Sequence, residues 1–119
     1  MVTTTDKANT EAYRAMLGVE KYLMKCSVEK SLRELIKLRV SQINGCAYCI
    51  DMHWKDARSD GETEQRLYGL PAWRESPYYS ERERVGLRLA EELTLVADAS
   101  VADELHELAR EQFSQQELA

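Results

Sequence analysis

The sequence predicts an all-α fold, and three observations carry that reading. Apolar residues recur at helical spacing in nearly every segment. Glycine and proline are scarce, at 5 and 2 of 119 residues. No run alternates apolar and polar side chains as a half-buried strand would. The 44% hydrophobic and 31% charged content is that of a folded chain, not a disordered one. This length supports one core, so the expectation is a single domain over residues 1–119 with about five to six helices.

Each element has its own signal. Between Thr10 and Lys25, Tyr13, Leu17, Val19, Tyr22, Leu23 and Met24 fall mostly on one side of a helix. Ser27 reads as the N-cap of a second helix running to about Gln42, with Leu32, Leu35, Ile36 and Leu38 in its stripe. Asn44-Gly45 breaks that pattern, as a glycine does where a helix ends in a left-handed turn. A third helix is expected from about Cys46 to about Ser59, stopped by Asp60-Gly61. A short one follows from Glu62 to Tyr68, and Pro71 to Tyr79 reads as loop or a short helical turn. Ser80 with Glu83 forms a capping box that opens a helix to about Val96. Ser100 with Asp103 opens another, to about Gln112. Ser114 with Glu117 is a further helix start close before Ala119, which leads to the expectation of a chain truncated at its C-terminus.

Charge and cysteine usage narrow the function. The net charge of −5 argues against nucleic acid as a partner, because phosphate backbones bind basic surfaces. Runs such as Glu81-Arg82-Glu83-Arg84 read as solvated helix faces. Met1 to Asn9 is polar, with no signal-type apolar stretch, and no later segment is long enough to span a membrane. The expected location is the cytoplasm, where thiols stay reduced. A close cysteine pair there points to catalysis or metal binding rather than a structural staple.

The pair in question is Cys46-Ala47-Tyr48-Cys49, with His53 four residues later. At about 100° per residue, the three side chains share a helical wedge of roughly 60°. The helix N-terminus stabilises a thiolate. An imidazole one turn away can take a thiol proton or stabilise the thiolate. Together they form a thiol–disulfide redox site. One thiolate attacks an oxidant, its neighbour resolves the product, and an outside dithiol reduces the pair. The helix terminus favours Cys46 as the more acidic thiol, while the +4 histidine favours Cys49. A thioredoxin-like setting for such a motif needs strands, and none is found.

Glu34, Cys46, Cys49 and His53 at this spacing resemble the signature of the alkylhydroperoxidase AhpD group, within the carboxymuconolactone decarboxylase-like superfamily. Leu38 to Gly45, Ile50-Asp51-Met52-His53, Gly61 to Leu67 and Ala72-Trp73-Arg74 resemble it too, so that the likeness covers about Tyr13 to Leu118. The resemblance implies an oligomeric all-helical fold, often a hexamer built from dimers. It implies peroxidase and disulfide-reductase chemistry, with no cofactor or metal. Peroxide would be the substrate, and an external dithiol or a peroxiredoxin partner would reduce the pair. By position, Cys49 would be the peroxidatic cysteine and Cys46 the resolving one, with His53 and Glu34 as a proton relay. Some members carry a histidine between the cysteines where this chain has Tyr48.

Other readings stand beside this one. The two cysteines could be small buried hydrophobes, or zinc ligands with His53 and Glu34. The disulfide could switch a sensor or partner-binding module without turnover. A lactone-type decarboxylase is disfavoured, because members of the superfamily with that activity do not rely on a CxxC pair. Glu34 taken alone reads as a solvated helix acid, but it lies on the same helix face as Leu38, which favours burial; a buried carboxylate there would have a raised pKa suited to proton transfer. Cys26 reads as structural or incidental and His106 as a surface or interface residue. Trp54, Trp73, Tyr78 and Tyr79 read as packing rather than a substrate pocket, and Arg39 and Gln42 stand near enough to steady the site.

Overall fold

Residues 10–119 are described by a computed structural model of the chain. Seven α-helices and one 3-10 helix are present among them, and no strand. They are α1 (Thr10–Lys25), α2 (Lys30–Asn44), α3 (Ala47–Ser59), α4 (Glu64–Tyr68), the 3-10 helix Leu70–Glu75, α5 (Glu81–Thr94), α6 (Asp103–Gln112) and α7 (Gln115–Leu118). The count exceeds the five to six expected through two short pieces, the 3-10 helix where the sequence reads as loop or a short helical turn, and the four-residue helix that the Ser114 start opens.

α2 is the centre of the fold. Leu32, Leu35 and Leu38 are fully buried on one face of it, with Glu34 and Ser41 beside them. Full burial of each leucine stabilises the fold by about 1.5–3 kcal/mol. Leu35 and Leu38 join Ala57, Leu67, Leu70, Trp73, Tyr79 and Leu87 in one cluster, against which Ile50 and Trp54 of α3 pack. Leu32 joins Val85, Leu105, Ala109 and Phe113 in a second. α2 is thus clasped between α3 and α5, and α6 lies on α5. α5 crosses α2 closely at Gly86: a Cβ there would lie 3.2 Å from the Phe113 ring, a tight contact, and 3.5 Å from Leu32.

Both capping boxes form, Ser80 with Glu83 and Ser114 with Glu117. Two other starts differ from expectation. Ser27 does not cap α2. The preceding residue is Glu29, which makes no side-chain cap bond because its carboxylate receives the Arg82 guanidinium at 2.9 Å. Ala102, not Ser100, precedes α6. The short helix α4 opens at Glu64, capped by Thr63, rather than at Glu62, whose carboxylate is held by Arg66.

α1 is the exception to burial. None of its residues is buried, and Met16 and Met24 are 64% and 72% exposed. It is tied to α2 by Lys37, which donates to Glu20 at 2.9 Å, and by Arg33, which donates to the Leu23 carbonyl. No helix among the described residues is long and apolar enough to cross a membrane.

Candidate active site

The turn between α2 and α3 places the cysteine pair. Gly45 adopts φ +66, the left-handed conformation that glycine takes without strain. Its N–H donates to Gln42 and the Cys46 N–H donates to Ser41, which is the Schellman arrangement. The chain then enters α3 at once, with Cys46 as the N-cap. The Cys46 sulfur accepts from the Cys49 N–H at 3.2 Å. Cys46 and Cys49 are joined as a disulfide, and both remain partly exposed. When the bond opens, the same N–H and the helix terminus stabilise a thiolate on Cys46.

His53 lies one turn beyond Cys49, about 6 Å along α3. α3 packs back along α2, so residues at equal distances from Gly45 meet. Lys37 lies level with His53, and Asp56 level with Glu34. Burial, and then the Lys37 ammonium, hold the His53 pKa below its usual value, against the pull of Asp56 and Glu20. The ring is therefore neutral at neutral pH, the form that accepts a proton. Glu34 stands about 4.5 Å further along the seam than His53. The order along the seam is the cysteine pair, His53, then Glu34. Among the described residues His53 makes no direct hydrogen bond to either.

Glu34 is 8% exposed. Burial raises its pKa, and a hydrogen bond to Asp60 and the charge of that carboxylate raise it further, to about 7. Lys30, 3.9 Å from Glu34, pulls the other way but stands only 2.8 Å from Asp60. A group that titrates near neutrality gives and takes a proton with equal ease there. Asp60 was read from the sequence only as a helix stop. Its spatial partner lies 26 positions earlier on another helix, beyond the reach of any local pattern.

The remaining residues fall outside this line. Arg39 donates to Glu91 at 2.7 Å and to Gln42 at 3.2 Å, and Glu91 also receives the Trp73 N–H and Arg74. Arg39 therefore ties α2 to α5. Trp73 and Tyr79 are core residues, Trp54 packs beside them, and Tyr78 and His106 are exposed. Cys26 is half-buried, with the Arg33 guanidinium 4.0 Å from its sulfur. Tyr48, which stands between the cysteines in the sequence, is 57% exposed. With the two sulfurs bonded to each other and Glu34 turned to Asp60, the four signature residues do not converge on one point. No group of three or more His, Cys, Asp or Glu among the described residues is arranged to hold a metal ion.

Comparison with known proteins bears on this geometry. The model of the carboxymuconolactone decarboxylase family matches residues 10–92, which include Glu34, both cysteines and His53. The uncharacterized protein YdfG of Bacillus subtilis strain 168 is 49% identical over 107 residues, 90% of this chain and 73% of that protein. The uncharacterized protein YnjA of Escherichia coli K12 is 34% identical over 61 residues, half of this chain and 33% of that protein. A crystal structure from Agrobacterium tumefaciens superposes with a TM-score of 0.91 at 40% identity, covering 98% of this chain and 80% of that one. That protein is of unknown function and provisionally named an antioxidant defence protein, AhpD. On this sequence match and this helical architecture, the chain belongs to the carboxymuconolactone decarboxylase family and has the AhpD-like fold.

Proposed function

We propose that the chain is a thiol-dependent peroxidase and disulfide reductase of antioxidant type. The observation that carries this reading is the Cys46–Cys49 disulfide at the start of α3, followed along one seam by a neutral His53 and by Glu34. In the reduced enzyme His53 takes the Cys49 thiol proton. The thiolate attacks the peroxide O–O bond, leaving Cys49 as sulfenic acid, and the departing alkoxide takes the proton back to become the alcohol. The Cys46 thiol then gives up its proton and attacks the Cys49 sulfur; the disulfide forms, and the sulfenic hydroxide leaves with that proton as water.

An external dithiol, free or carried by a partner protein such as a peroxiredoxin, completes the cycle. It attacks the Cys49 sulfur, and Cys46 leaves as a thiolate accepted by the Cys49 N–H. The dithiol becomes a disulfide, and its two protons end on Cys46 and Cys49. This division reconciles the two local preferences: the N-cap favours Cys46 as a leaving group, and the histidine favours Cys49 as the attacking and attacked sulfur.

The resemblance also supports assembly with further copies of the chain, for which the uncovered apolar side chains of α1 offer a surface. Sedimentation of the protein at micromolar concentration reads this directly.

Peroxide consumption with a dithiol reductant tests the central reading. Wild-type protein is expected to turn over, and Cys49→Ser to fall to the uncatalysed background. Full activity in Cys49→Ser would overturn the assignment. Turnover of a lactone substrate that survives loss of both cysteines would replace it with a decarboxylase.

A further inference from the structure

Glu34 is buried in a stripe of leucines, yet its carboxyl is not met by a cation at contact distance. Lys30, the nearest, is 3.9 Å away and bound instead to Asp60 at 2.8 Å. The Glu34 and Asp60 carboxyls share Lys30 and line one cleft, and with the proton on Glu34 its O–H donates to the Asp60 carboxylate. Lys30, Glu34, Asp60 and Gly61 line this cleft of about 370 Å³. Gly61, at φ +94, forms the turn that swings Asp60 back over α2 after α3 ends. A short chain of polar contacts therefore runs from Lys30 to Asp60 to Glu34, and the seam continues from Glu34 to His53.

We propose that Asp60, fixed by Lys30, is a positioning residue that accepts the Glu34 O–H and so keeps the proton of the relay stored on Glu34. The inference rests on the thiol-redox reading above. Asp60 touches neither sulfur nor substrate and acts through Glu34. An ionised carboxylate facing another carboxyl makes the second ionisation unfavourable, so one proton is retained between them. The Glu34 O–H, and then the Lys30 ammonium at 2.8 Å, hold Asp60 as the anion, so the shared proton stays on Glu34. The other charged groups around Glu34 are Arg33 and Lys37 of α2, Asp56 of α3, Glu62 of the following loop and Glu20 of α1. Of these, Lys37 is paired with Glu20, and the Arg33 guanidinium is turned to Leu23 and Cys26. Asp60 is thus the partner that fixes the Glu34 proton.

Two measurements on the whole chain test this. The first is the pH titration of the Glu34 carboxyl by carbon-13 NMR, with Glu34→Gln to assign the signal. Wild type is expected to titrate near neutrality, and Asp60→Asn about one pH unit lower. The second is the pH dependence of Cys46–Cys49 reduction by dithiothreitol, with peroxide turnover measured beside it. Its midpoint is expected to follow the Glu34 titration in Asp60→Asn and to return in Asp60→Glu. Unchanged titration in Asp60→Asn would overturn the pairing. A shifted titration with an unchanged rate profile would overturn the positioning role. Absence of peroxide turnover in wild type, with disulfide reduction still tracking Glu34, would overturn the peroxidase reading and leave the role of Asp60 standing.

Discussion

Glu34 on α2 and Glu91 on α5 are both drawn under the surface, and they meet opposite company. Their side chains are nearly equally exposed, at 10% and 12%. Burial therefore cannot distinguish them. Burial raises the pKa of Glu91, but the Trp73 N–H, Arg39 and Arg74 outweigh it and hold the group below its usual value. Glu34 faces Asp60 instead, and burial and the second carboxylate act in the same direction. At equal burial the donors decide the role. A glutamate met by three donors is a fixed anion that ties helices together. A glutamate met by a carboxylate holds a proton that it can release.

Exchange of each carboxylate sharpens the contrast. Glu34→Gln keeps the shape and removes the proton, so turnover is expected to fall by about 100-fold or more. Thermal stability should stay at or above the wild-type value, since a buried acid with no close cation is lost. Peroxide assay and thermal melting on the same samples read both quantities. Glu91→Ala is expected to do the reverse. It leaves the Trp73 N–H without an acceptor and the Arg39 guanidinium with only Gln42, at a cost of about 3 kcal/mol, while activity per folded molecule is kept. Loss of activity and stability together in either variant would break the comparison.

The two groups also give opposite responses to pH. The Glu91 pKa is depressed in the folded chain. Its contribution is therefore present above the unfolded value, taken as 4.5, and is lost as pH falls through the folded one. The Glu34 pKa is raised to about 7, so between 4.5 and 7 the folded state binds the proton more tightly. Stability declines as pH rises through that window and levels above it. Urea midpoints measured across pH 3 to 8 should lose the upper decline in Glu34→Gln and the acid decline in Glu91→Ala. A wild-type curve flat between 4.5 and 7 would contradict the Glu34 assignment.

The sequence made one of these sites visible and not the other, for a physical reason. Glu34, Cys46, Cys49 and His53 lie within 20 positions on two consecutive helices, and helical spacing plus a glycine turn locates them. The caps at Ser80 and Ser114 were legible in the same way, because a capping box is closed within four residues. Glu91 was not legible. Its partners Arg39, Trp73 and Arg74 come from α2 and the 3-10 helix, and no local pattern pairs a packing tryptophan and two arginines with a glutamate up to 52 positions away until the helices pack. Asp60 has a plain local role at the end of α3 that hides its contact with Glu34. Ser27 shows the converse: it is a residue type suited to an N-cap, but Arg82, 55 positions on, engages Glu29, and α2 starts after Glu29 instead. α1 has a clear apolar stripe, yet amphipathy shows which face seeks cover and not what covers it.

The smallest expected effect concerns Arg74, which tests whether the Glu91 site is graded by burial. Arg74 donates to Glu91 at 2.8 Å and its guanidinium lies 4.6 Å from the centre of the Trp73 ring, but its side chain is 56% exposed. Water screens an exposed ion pair and replaces its hydrogen bonds when it breaks. The stacking adds little at an open site. Glu91 keeps the Trp73 N–H and Arg39, so no buried group is left alone. Arg74→Ala is therefore expected to cost about 0.5–1 kcal/mol in urea unfolding, most of it removed by 1 M salt. Arg39, at 19% side-chain exposure, donates from the covered side. Its replacement by Ala should cost about 2 kcal/mol and resist salt, because Glu91 loses the charge partner that water cannot supply. Equal losses from the two arginines would show that the site is held by charge alone, and that burial grades neither contact.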